Sequence, residues 1–236
     1  MTGVEDSAEF EFESLARAHV YRRAIARHFS TALCGRVLEV GAGIGQMTEV
    51  LASLPAVTEI TALEPNADFI GRLAERVPRA RTICGTSNAI PTGETFDSAV
   101  MVNVLEHIED DVGELIALRR HIVPGRGTMC ILVPARPELY SPIDRIFGHH
   151  RRYTRRSLRA ALERAGYVVS AAHYFNLVGY FCWLLNFRLR GCTRFEPGLV
   201  ELFDRYVFRL CDAIESRLGR PPIGQSVVAF AQRPHD

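Results

Sequence analysis

Lysine is absent from the 236-residue sequence, so all 28 of its basic side chains other than histidine are arginine. That excludes the Tyr-x-x-x-Lys pair found in nicotinamide-dependent oxidoreductases. An excess of either charge is lacking too: 28 basic residues face 27 acidic ones, and no overall field draws the chain to nucleic acid or to an anionic membrane. Any basic site must be local. The six cysteines include no Cys-x-x-Cys pair and no metal-finger spacing, and they read as reduced core thiols. His149 and His150 have no cysteine or carboxylate at a recurring ligand spacing, so no metal is expected. The first twelve residues are acidic and lack a basic segment leading into an apolar one, which makes the cytoplasm the expected location. The most apolar stretch, residues 174–187, contains Asn176 and Asn186 and is shorter than the roughly 20 residues of a membrane span. No transmembrane segment is expected.

What is present suits one α/β domain. An amphipathic helix is expected over residues 14–29, where Leu15, Ala18, Ile25 and Phe29 recur among polar residues. Strands follow at 36–40, 59–63, 80–84, 96–102 and 128–133. They alternate with helices at 46–54, 67–77 and 110–121, and Pro55, Pro78 and the turn Pro124-Gly125-Arg126-Gly127 punctuate the series. Thr154 caps a helix that ends at Gly166, and strands at 168–174 and 226–231 close the chain. Strands separated by helices predict a Rossmann-like, doubly wound, mostly parallel seven-stranded sheet, with ligands at the carboxyl ends of its strands. The expected organisation is a helical cap over 1–35, a core over 36–175, a helical insert or lid over 176–222, and the last strand and tail over 223–236.

Gly41-Ala42-Gly43-Ile44-Gly45 sits where the first strand turns into a helix, a place where small residues let the backbone approach a ligand. Glu64 ends the second strand, where a carboxylate can accept both hydroxyls of a ribose. Glu39, two residues before the loop, suits a cationic amino group or the loop's own amides. The segment resembles motif I of the class I S-adenosylmethionine-dependent methyltransferases. Leu63-Glu64-Pro65-Asn66, Phe96-Asp97-Ser98, Asn103-Val104-Leu105-Glu106-His107-Ile108 and Pro124-Gly125-Arg126-Gly127 are similar to that family's later segments, in order. The resemblance implies S-adenosylmethionine as cofactor, held by Glu39, Gly41, Ala42, Gly43, Gly45, Glu64, Pro65 and Asn103. Tyr21 would stack on it from the leading helix. The family often has Asp after the third strand; here Thr86 and Ser87 stand in its place for the adenine.

On the acceptor side, Asn103-Val104-Leu105-Glu106 departs from the Asp/Asn-Pro-Pro-aromatic sequence of methyltransferases that act on nucleic-acid bases, so a small-molecule acceptor is expected. Gly148-His149-His150-Arg151-Arg152-Tyr153-Thr154 resembles a bacterial subgroup associated with envelope-glycan or secondary-metabolite contexts. Transfer from a sulfonium needs in-line alignment and no obligatory base. His107, His149 and Tyr153 are candidate catalytic residues; Tyr140, His150, Arg152 and Trp183 are candidate contacts to an apolar, anionic acceptor. Ten of the 21 aromatic residues lie between Tyr174 and Phe208. That density predicts a lid over an apolar pocket, with a homodimer interface or interfacial membrane contact as alternatives. The competing readings are a nicotinamide-dependent oxidoreductase, whose G-x-G-x-x-G spacing the loop does not follow, and a non-catalytic cofactor-binding module.

Overall fold

A computed structural model describes residues 17–235. The chain runs α1 (His19–Phe29), β1 (Gly35–Val40), α2 (Gln46–Leu51), β2 (Val57–Glu64), α3 (Ala67–Arg76), β3 (Arg81–Cys84), β4 (Ser98–Val102), α4 (Asp111–Arg119) and β5 (Thr128–Pro134). It continues through α5 (Pro142–Ile146), α6 (Arg155–Arg164), β6 (Val168–Phe175), α7 (Leu177–Trp183), α8 (Pro197–Leu202), α9 (Arg209–Leu218) and β7 (Ser226–Gln232). The seven strands form one sheet in the order β3-β2-β1-β4-β5-β7-β6. Every pairing is parallel except those of β7, which runs antiparallel to both β5 and β6.

Alternation along the strands builds two cores, one on each face. Leu38 and Val40 of β1 join Ile131 and Val133 of β5 against Leu115 of α4 and Leu162 of α6. Val37, Cys130 and Leu132 point the other way, toward Phe29 of α1, Leu51 of α2 and Phe208. Local chemistry fixes the helix starts. The Asn66 side chain accepts from the Asp68 and Phe69 amides, Asp110 accepts from Gly113, and Thr154 and Ser157 form a capping box.

The expected boundaries shift where local bonds compete. Residues 14–16 of the leading helix lie outside the described residues. The helix expected over 46–54 ends at Leu51, because the Ser53 and Leu54 amides close onto the Val50 and Leu51 carbonyls in tight turns. The fourth strand begins at Ser98; Phe96 makes only an isolated bridge to Ile122. The cysteines are all free, but Cys34, Cys84 and Cys192 are exposed, so the reading of all six as core thiols is corrected. α7 runs on as a π-helix over Leu184–Leu189, and another, Phe203–Phe208, joins α8 to α9. The two helical runs 177–189 and 197–218 therefore stand between β6 and β7.

Candidate active site

β1, β2 and β4 end together at a cleft of about 520 Å³, in the range of small-molecule sites. Gly41 has φ of +68°, and a Cβ there would come within 2.4 Å of the Val104 side chain, so only glycine lets the turn pass beneath the β4 loop. The loop amides are largely spent on the protein itself. Gly41 and Ala42 donate to the Leu63 carbonyl, and Gly43 donates to Glu64 Oε2 at 2.8 Å. Glu64 Oε1 accepts from the Asn66 amide at 3.0 Å, so one carboxylate pins the glycine turn to the start of α3.

Glu39 is 2% exposed and lines the cleft, and its Oε2 has no hydrogen-bond partner among the described residues. Burial pushes its pKa up to about 8, against the Thr48 hydroxyl, which favours the charged form; Glu64 adds to the rise. Burial likewise raises the pKa of Glu64, although the Asn66 and Gly43 amides oppose it.

Of the residues expected to hold a cofactor, Tyr21, Glu39, Gly41, Ala42, Glu64, Pro65, Thr86 and Asn103 line this cleft. Gly43, Gly45 and Ser87 are not part of its lining. Gly43 is turned to Glu64, Gly45 caps α2 against Leu73, and Ser87 donates to Glu114 at 2.9 Å. The Tyr21 ring stacks on Phe175 at 5.7 Å and meets Phe208 edge-on, and its hydroxyl lies 3.2 Å from Ser226. These contacts hold it in the wall of the cleft. Ala18, Arg22, Gln46, Met47, Phe69 and Glu114 also line the cleft and were not anticipated. They come from helix faces and helix approaches whose orientation is set by packing, which no short motif records.

His107 lines the cleft, while His149 is buried behind it with the rings 4.7 Å apart and nearly perpendicular. His149 Nδ1 lies 3.0 Å from Asp144 Oδ1, and its Nε2, without a hydrogen-bond partner among the described residues, lies 4.0 Å from Glu106 Oε1. The expectation of no metal rested on His149 with His150. The structure instead groups Glu106, His107 and His149, with one ligand atom from each within 4.8 Å of the others. Burial lowers the His107 pKa to about 4, helped by the charges of His149 and His150 and opposed by a hydrogen bond with the Phe147 backbone.

The remaining acceptor-side candidates build the wall. Arg152, expected to meet an anionic acceptor, is buried: its Nε donates to Asp144 Oδ1 at 2.7 Å, its Nη1 donates to the Ala135 carbonyl, and its guanidinium lies 4.5 Å from the Trp183 ring centre. That pairing already neutralises its charge, so the acceptor role is corrected. Burial alone would raise the Asp144 pKa, but the His149 and Arg152 contacts outweigh it and hold the carboxyl below its ordinary value. Tyr153, expected to be catalytic, is buried outside the cleft and donates to Asp111 Oδ2 at 2.7 Å. Burial and that carboxylate push its pKa upward, which rules out easy ionisation. Tyr140 donates to the His149 carbonyl, His150 is exposed, and Trp183 is buried among Leu139, Ile143, Phe147 and Phe187.

A methyltransferase-domain family model matches residues 12–172. The chain belongs to the methyltransferase-domain family. Solved structures agree in fold. A proposed sarcosine dimethylglycine methyltransferase of Galdieria sulphuraria is 16% identical with a TM-score of 0.63, over 97% of this chain and 98% of that one. An S-adenosylmethionine-dependent methyltransferase of Clostridium acetobutylicum is 10% identical with a TM-score of 0.59, over 94% and 96%. Phosphoethanolamine N-methyltransferase 2 of Haemonchus contortus, solved with S-adenosyl-L-methionine, is 17% identical with a TM-score of 0.60, over 91% of this chain and 52% of that one. No curated protein matches the sequence. The family is that of class I, S-adenosylmethionine-dependent methyltransferases, not of nicotinamide-dependent oxidoreductases. Its cofactor, S-adenosylmethionine, fits a cleft lined by the glycine turn and by Glu39, whose buried Oε2 has no hydrogen-bond partner among the described residues.

Proposed function

We propose that this methyltransferase moves a methyl group to a small-molecule acceptor lying between the cofactor and His107, by in-line displacement. When bound, the cofactor supplies an electrophilic methyl on a sulfonium sulfur. Glu39 would hold the cofactor's ammonium group, the backbone at Gly41 and Ala42 would lie along its methionine part, and Glu64 would face the ribose while bracing the loop. Thr86, on the turn after β3, would stand at the adenine end.

The observation that carries the reading is the place of His107, which lines the cleft in front of the buried Glu106 and His149. A histidine whose pKa lies near 4 is neutral at pH 7, and its ring can hydrogen-bond the acceptor and orient it for in-line attack. Arg152, Tyr153 and the rest of the 148–154 segment position that wall. With Arg152 already paired, the acceptor is better described as small and partly apolar than as anionic. This reading keeps the enzyme in a bacterial small-molecule subgroup acting in the cytoplasm, without nucleic acid as substrate. A homodimer through residues 176–222 is the alternative use of the insert.

Mass spectrometry of metabolite extracts incubated with the enzyme and isotopically labelled cofactor tests the proposal, because the acceptor class appears as labelled small products. His107→Gln should lower turnover while leaving cofactor affinity nearly unchanged. Equal turnover in wild type and His107→Gln would remove His107 from the reaction.

A further inference from the structure

We infer that the outer face of residues 177–218 seats the enzyme on the surface of an anionic lipid bilayer. In the helical run 197–218, Leu199, Leu202, Tyr206, Leu210, Ile214 and Leu218 recur every three or four residues and are all exposed, from 46% at Ile214 to 83% at Leu218. Phe181, Leu185 and Leu189 repeat every fourth residue on the run 177–189 and are exposed as well. An amphipathic helix normally turns its apolar side into the protein. Here much of that apolar surface faces water.

The polar groups explain the orientation. Asp204 accepts from the Val20 and Tyr21 amides at 2.8 and 2.9 Å, fastening the run to the start of α1. Asp212 pairs with Arg27, and Glu215 accepts from the Asn176 and Leu177 amides at the end of β6. Three of the segment's five acidic residues are thus spent on holding it to the domain. A fourth, Glu201, pairs with Arg17.

Its six arginines, 188, 190, 194, 205, 209 and 217, are all exposed, and none forms an ion pair among the described residues. The outward surface therefore combines exposed leucines with uncompensated guanidinium groups. That is the chemistry of a helix lying in the interface of an anionic membrane. A second copy of the chain fits it less well, because a two-fold contact would set the arginine-rich surface against itself. No helix of the described residues is long and apolar enough to cross a membrane, so the contact is interfacial.

Flotation of the full chain with vesicles tests this. The protein should bind phosphatidylglycerol–phosphatidylcholine vesicles, lose that binding at high salt, and ignore phosphatidylcholine alone. The double variant Arg205→Glu, Arg209→Glu should bind at least about thirtyfold more weakly. Leu202→Ser with Leu210→Ser should also weaken binding, and both variants should keep wild-type melting temperature and cofactor affinity. Absence of vesicle binding by the wild type, or equal binding by the variants, overturns the inference. So does a dimeric mass in light scattering that the leucine variant converts to a monomeric one, because the face is then covered by a second copy.

Discussion

The cofactor cleft and the 177–218 insert use the same kind of side chain to opposite effect. At the cleft, Glu64 is turned inward to hold the glycine turn, and Glu39 keeps one buried oxygen available to a ligand. In the insert, Asp204, Asp212 and Glu215 are turned inward to hold the segment on the domain, and the apolar residues are left outside. One region concentrates polar groups where a small cation can meet them. The other turns three of its five acidic groups inward and leaves arginine and leucine in excess beside Glu196 and Glu201 on the surface. A buried carboxylate therefore says little about function until its remaining oxygen is accounted for.

The largest expected effect lies in the wall behind His107. Asp144→Ala should lower stability by about 3–5 kcal/mol, because it strands the buried Arg152 and releases His149 and Ser141. Chemical denaturation measures it, and a loss below about 1 kcal/mol would mean that the wall relaxes freely. Next comes Glu64→Ala, which should cost about 1.5–3 kcal/mol of cofactor affinity by calorimetry, since a carboxylate that orders the loop is lost. Unchanged affinity with an intact fold would separate the glycine turn from binding.

Glu39 gives an effect of definite sign. Its folded pKa, about 8, lies above the ordinary value of 4.5, so its contribution to the stability of the unliganded protein is fully present below about pH 4.5 and is lost as pH rises toward 8. Cofactor binding should run the other way and tighten over the same window, because the ammonium group selects the ionised carboxylate. Calorimetry across that range should give a slope for wild type and a flatter line for Glu39→Gln; parallel lines would assign the pH dependence elsewhere. The smallest effect is expected on the insert's outer face. Leu210→Ser should change stability by no more than about 0.5 kcal/mol, because the side chain is already exposed. A loss of several kcal/mol in thermal or chemical denaturation would mean that this leucine is buried in solution.

The legible part of the molecule was the part fixed by local chemistry. A strand, three closely spaced glycines and Glu64 determine one turn almost by themselves, and the alternation of strands with helices gave the sheet. Arg152 shows where that reasoning fails. Its sequence neighbourhood of histidines and arginines suggested an anion site, while Asp144, eight residues earlier, and Ala135 satisfy it in the fold. Tyr153 is likewise captured by Asp111, 42 residues away. The exposure of the insert depends on contacts between residues such as Val20 and Asp204, 184 positions apart, which aromatic density alone could not orient.

Hydrogen exchange read by mass spectrometry tests the division of labour between the two regions most directly. Adding S-adenosylmethionine should slow exchange at residues 39–47, 63–69 and 102–108, and leave the outer run 197–218 close to its unliganded rate. Protection confined to 197–218, with none at the glycine turn, would contradict the account.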